Sequence, residues 1–149
     1  MLKLHIMDEK KMKEITTDAK IENIEVVTNF INNELDVIGC LKKAKAEIDI
    51  AVDELFSNIA NYAYCPKTGK ATVKFDYDKN DNSVYITFVD EGKPYNPIAA
   101  EDPNVTAPIA ERKIGGLGIL IVKKTMDDVN YKYENNKNIL IIKKKLSGG

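Results

Sequence analysis

Apolar residues recur along this chain with two different periods, and the switch between them marks out its elements. From Asp18, a residue type suited to a helix N-cap, Ile21, Ile24, Val27, Ile31 and Leu35 return every three or four residues, the spacing of one helical face. Gly39 predicts the end of that helix. A second helix is predicted over residues 41–64, with Ile48, Val52, Leu55, Ile59 and Tyr62 on its buried stripe and Pro66 as its stop. Beyond the turn at residues 67–70 the period becomes two. Ala71, Val73, Phe75 and Tyr77 alternate with polar neighbours, and Val84, Ile86 and Phe88 do so again after a polar run, which predicts an antiparallel hairpin. An apolar helix is predicted from Gly115 through about Asp128, and residues 129–133 and 138–145 read as a last hairpin around Asn135 and Asn136. Ahead of these elements, residues 2–7 and 12–16 read as edge strands on either side of a charged turn.

Runs of helices and runs of strands, without alternating βαβ units, predict an α+β fold. The expected architecture is a two-layer sandwich with the helices on one face of a mainly antiparallel sheet. A chain of 149 residues suits one core. Residues 1–146 are expected to form a single domain, and Ser147, Gly148 and Gly149 a flexible tail. Composition narrows the picture further. With 44% hydrophobic and 30% charged residues and a formal charge of −1, the chain carries no basic excess for nucleic acid. Cys40, Cys65 and the single His5 are too few for a disulfide scaffold or a zinc site, so a reducing cytoplasm is expected. No apolar run approaches the roughly 20 residues that span a bilayer.

The candidate chemistry sits at the ends of the predicted elements. On a helix, Glu54, Asn58 and Asn61 fall within a sector of about 60°, beside the apolar stripe. Asn58 offers a carboxamide oxygen of the hard, neutral kind that Mg²⁺ accepts, and Glu54 can take a proton from a hydroxyl or water attacking a γ-phosphate. Asp90 closes a strand and is followed by Glu91 and Gly92. Its carboxylate can accept a hydrogen bond from the exocyclic amine of adenine, and Gly92 allows close backbone approach. Gly115, Gly116, Leu117 and Gly118 lie where a loop becomes a helix, so their unpaired N–H groups and the helix dipole suit phosphate. Arg112 and Lys113, just upstream, are placed to reach the γ-phosphate. Residues 91–113, broken by Pro94, Pro97, Pro103 and Pro108, read as a lid. Any one of these motifs recurs widely in a plain structural role. Together they describe an ATP and Mg²⁺ site, because each lies on the kind of element its chemistry needs.

These motifs resemble the N box (Glu54, Asn58), the adenine box (Asp90, Gly92) and the second glycine box (Gly115, Gly116, Gly118) of the GHKL ATPases. The resemblance extends from about residue 12 to residue 146. It is strongest to the branch of anti-sigma factors and serine-protein kinases. It implies the Bergerat ATP-binding fold, with Glu54 as base, Asn58 on Mg²⁺ and Asp90 on adenine. It also implies an ATP-dependent serine/threonine kinase that sequesters a sigma factor and phosphorylates a STAS-type antagonist, in a branch where homodimers are common. Pro94 stands where a second glycine is usual, and Tyr62 where relatives often carry a basic residue or histidine. A nucleotide-gated sequestration module without phosphotransfer is the competing class, and the retained Glu54 favours the kinase. The catalytic fragment of a histidine kinase fits less well, since no predicted helix carries a histidine.

Overall fold

A computed structural model describes residues 12–99 and 116–146. The first expected strand, the tail, most of the lid, and with it Arg112, Lys113 and Gly115, lie outside the described residues. Five strands, β1 (Met12–Asp18), β2 (Lys70–Asp78), β3 (Ser83–Asp90), β4 (Asp128–Glu134) and β5 (Lys137–Lys145), form one sheet in the order β1-β2-β3-β5-β4. Every pairing in it is antiparallel. Helices α1 (Ile24–Val37), α2 (Lys42–Asn58) and α3 (Gly116–Thr125) complete the α+β sandwich, with α2 packed between α1 and α3.

The period-two segments meet in one phase. Register places Phe88 opposite Val73 and Leu140, and Ile86 opposite Phe75 and Ile142, so these six residues form a continuous apolar patch. Val27, Ile31 and Leu35 of α1 and Ile48, Val52, Leu55 and Phe56 of α2 close over it. Each such side chain removed from water contributes about 1.5–3 kcal/mol. The same period continues one step further at the end of the sheet. There Asp90 of β3 pairs with Asn138 of β5, and both are buried.

Several local boundaries differ from expectation, each for a visible reason. Asp18 does not cap a helix. It ends β1, pairs in register with Lys70 and accepts a hydrogen bond from the Lys70 ammonium at 2.8 Å. A 3₁₀ turn, Ile21–Asn23, precedes α1, which leaves Ile21 exposed rather than on the buried stripe. Gly39, at φ +74°, ends α1 as expected, with the Cys40 N–H returning to the Leu35 carbonyl at 3.0 Å. The long second helix changes character after Asn58, where Ile59–Ala63 form a π-helical turn. Its i→i+5 bonds advance the register by one residue, so Ala63 takes the core-facing place and Tyr62 turns outward, 45% exposed. Helix α3 stops at Thr125, before the expected Asp128, because Asp128 already pairs with Lys143 in the sheet. Asn135 and Asn136 both take positive φ, as a two-residue hairpin turn requires.

Candidate nucleotide site

A cavity open to solvent lies between the C-terminal end of α2 and the end of β3. Its apolar walls come from Leu55, Ile59, Phe88, Pro97 and Leu140, the exposed Lys93 and Tyr95 line it as well, and its polar groups come from Asn58, Asp90, Tyr131 and Asn138. An apolar slot with few polar groups is what a flat, partly polar heterocycle needs. Asn58 and Asp90, placed far apart by the sequence, therefore open on the same space.

Asp90 is held firmly. Its Oδ1 accepts the Gly92 N–H at 2.9 Å and the Asn138 amide at 2.9 Å. Oδ2 has no such bond among the described residues. Burial pushes the carboxyl above the usual carboxylate range, and the bonds from Asn138 and Gly92 pull it partly back. Asn138 was not among the residues singled out from the sequence, yet it organises this end of the site. Its amide also donates to the Gly92 and Lys93 carbonyls, and its oxygen accepts the Tyr95 N–H and the Tyr131 hydroxyl. One signal was available: Asn138 shares the period-two phase of Leu140 and Ile142, so it had to be buried.

Packing also requires a glycine at position 92. A Cβ there would collide with the backbone carbonyl of Ala63, and the neighbouring Lys93 N–H already donates to that carbonyl at 3.0 Å. The glycine thus lets the turn after Asp90 pack onto the end of the N-box helix.

At the other end of the site, Glu54 sits on α2 one turn before Asn58. Burial raises its carboxyl, the nearby charge of Asp53 raises it further, and a hydrogen bond with Asn58 lowers it. A base whose proton affinity is shifted upward toward neutrality is better suited to accept a proton in a transition state. Gly118 of α3 lies against Glu54, and a Cβ at that position would overlap its carboxylate. Helix α3 is pinned at its other end by Lys144, whose ammonium donates to the Thr125 carbonyl at 2.6 Å and pairs with Glu47 of α2 at 2.7 Å. The two helices therefore run antiparallel, with Gly118 beside Glu54. Leu117 points outward, 45% exposed. Asn61 is exposed on the π turn and does not line the cavity.

The two glycines predict opposite outcomes. Gly118→Ala meets only the end of a flexible side chain. It should leave the thermal midpoint within a few degrees of wild type while displacing Glu54 and lowering any activity that uses it. Gly92→Ala meets backbone, so it should cost about 1–3 kcal/mol and weaken nucleotide binding. Thermal melts and nucleotide titrations of the two variants check this pair, and equal destabilisation would contradict it.

A two-layer sandwich whose apolar cleft ends in a buried carboxylate and carries an acid and an amide on the adjoining helix belongs with the nucleotide-binding domains. The histidine kinase-like ATPase domain matches residues 17–144, and the chain belongs to that family. The chain is 20% identical over 142 residues to the serine-protein kinase RsbW of Bacillus mycoides, an alignment covering 93% of this chain and 88% of that protein. It is 25% identical over 126 residues to the RsbW of Halalkalibacterium halodurans, covering 82% and 76%. Among solved structures it resembles the RsbU and RsbW domains of Rv1364c from Mycobacterium tuberculosis, with a TM-score of 0.66 and 17% identity. That match covers 91% of this chain and 32% of the other. It also resembles the histidine kinase domain of a blue-light activated kinase from Erythrobacter litoralis, with a TM-score of 0.50, 17% identity, and coverage of 85% and 61%. These likenesses support the fold and an ATP-dependent kinase family of the RsbW kind. No described helix is long and apolar enough to cross a membrane.

Proposed function

We propose that the protein is an ATP-dependent serine/threonine kinase and anti-sigma regulatory factor of the cytoplasm, which sequesters a sigma factor and phosphorylates a STAS-type antagonist. The observation that carries the reading is that Asn58 and Asp90 share one cavity while Glu54 stands one helical turn from Asn58. Adenine fits the apolar slot, with its exocyclic amine donating to Asp90. The triphosphate then extends past Asn58 toward the start of α3, where Gly116, Leu117 and Gly118, joined by Gly115, Arg112 and Lys113, receive it. Glu54 accepts the proton of the attacking serine or threonine hydroxyl as its oxygen bonds to the γ-phosphorus and the bond to the leaving ADP oxygen breaks.

The donor set suits Mg²⁺. Among the described residues no group of three or more His, Cys, Asp or Glu side chains could hold a metal ion. Asn58 supplies one neutral oxygen, and the remaining shell falls to phosphates and water, as is usual for this ion. When bound, Mg²⁺ would screen the phosphate charge. Replacing Asn58 by Ala should abolish the Mg²⁺ dependence of ATP binding, read by titrating nucleotide with and without the metal. An unaltered magnesium response would remove Asn58 from the ligand set.

The whole reading is tested by incubating the purified protein with γ-labelled ATP and a STAS-type antagonist. Label should appear on a serine or threonine of the antagonist. Sequestration without transfer would leave all label on nucleotide or free phosphate and would reduce the protein to a binding module.

A further inference from the structure

Tyr64 follows the π turn and belongs to none of the motifs above. Its hydroxyl donates to the Lys70 carbonyl at 2.6 Å and accepts the Glu91 N–H at 2.7 Å. One oxygen therefore joins the first residue of β2 to the residue after Asp90. The ring is packed against Gly69, where a Cβ would clash with its Cδ1, Cε1 and Cζ atoms. This side chain is thus fixed at both its face and its tip.

The bond to Glu91 matters because that N–H belongs to the peptide linking Asp90 to Glu91. Holding the peptide plane fixes ψ of Asp90, just as Asn138 and the Gly92 N–H fix its carboxylate through Oδ1. The next residues of the turn are held by Ala63, whose carbonyl takes the Lys93 N–H. Two successive residues at the end of the N-box helix therefore clamp the turn that leaves Asp90. They reach it because the π turn moves Ala63 inward and carries Tyr64 to the end of the sheet, a placement that an unbroken α-helix would give to other residues.

We propose that Tyr64 is a positioning residue for base selectivity: by fixing the Asp90–Glu91 peptide it places the following Gly92 N–H, which holds Oδ1 of Asp90 and so aims the carboxylate at the exocyclic amine of a purine. The proposal rests on the reading of the cavity as an adenine site. Direction is what a hydrogen bond is most sensitive to, since it weakens steeply once bent. A small swing of Asp90 would leave the apolar contacts with the base intact and lose the preference for the amine.

The test compares two ligands on the full chain by calorimetry, ADP and purine riboside 5′-diphosphate, which lacks the 6-amino group. Wild type should prefer ADP by roughly tenfold or more, the worth of one hydrogen bond to a charged acceptor. Tyr64→Phe, which removes only the hydroxyl, should lower that ratio at least about threefold, chiefly through weaker ADP binding. A purely structural role would weaken both ligands together and leave the ratio unchanged, and that result overturns the proposal. Should the phenylalanine variant not fold, Gly69→Ala displaces the same ring from its other side and should shift the ratio in the same direction. A wild-type protein that binds neither ligand would instead overturn the adenine-site reading itself.

Discussion

Replacing Glu54 by Gln should lower phosphotransfer to the antagonist by on the order of 10² to 10⁴ while nucleotide affinity stays close to wild type. The amide keeps the shape of the side chain and its contact with Gly118, but it cannot accept the hydroxyl proton. Because the carboxyl lies above the usual range through burial and the charge of Asp53, the acid limb of the wild-type pH–rate profile should also lie above that of an ordinary glutamate. Single-turnover rates across pH, for both proteins, measure this. A variant rate equal to wild type would remove Glu54 as the base. Loss of nucleotide binding in step with the rate would make it a binding group instead.

Asp90→Asn should weaken ATP binding by roughly 10- to 100-fold, the value of a hydrogen bond to a charged acceptor. Asparagine can still accept from the Gly92 N–H and from Asn138 through its oxygen. Its other atom then becomes an NH₂ group, a donor facing the donor amine of adenine. The fold should not suffer. The Asp90 carboxyl is raised in the folded state, so its contribution to stability is fully present below the unfolded pKa and is lost as pH rises through the folded one. At neutral pH the native aspartate therefore opposes folding, and the asparagine variant should melt no lower than wild type. Isothermal titration with ATP and melting curves at neutral and acid pH separate the effects. A variant that both binds normally and melts lower would contradict each half of the argument.

Most of the architecture was legible along the chain because burial imposes a period. A strand half-buried in a sheet must alternate, and a helix against it must repeat every three or four residues. Phe75, Ile86, Leu140 and Ile31 carry those periods without interruption, and the sheet and helices follow them. Interruptions of period were the harder signal. Tyr62 fits an α-helical stripe on paper, yet the π turn gives its place to Ala63, and no local residue pattern announces the change. Asp18 has the chemistry of an N-cap, but a sheet partner at Lys70 competes for it and prevails.

The same division runs through the site. Sequence by itself determined the family, the α+β layers, and the chemical identity of Glu54, Asn58, Asp90 and the glycines, because local spacing and residue type carry that information. Only the tertiary structure decided that Asp90 is locked by Asn138, that Gly92 serves the carbonyl of Ala63, and that Gly118 rests on Glu54. Those are contacts between residues distant in the chain. They depend on strand register and on how the helices cross, which the pattern of one segment cannot specify.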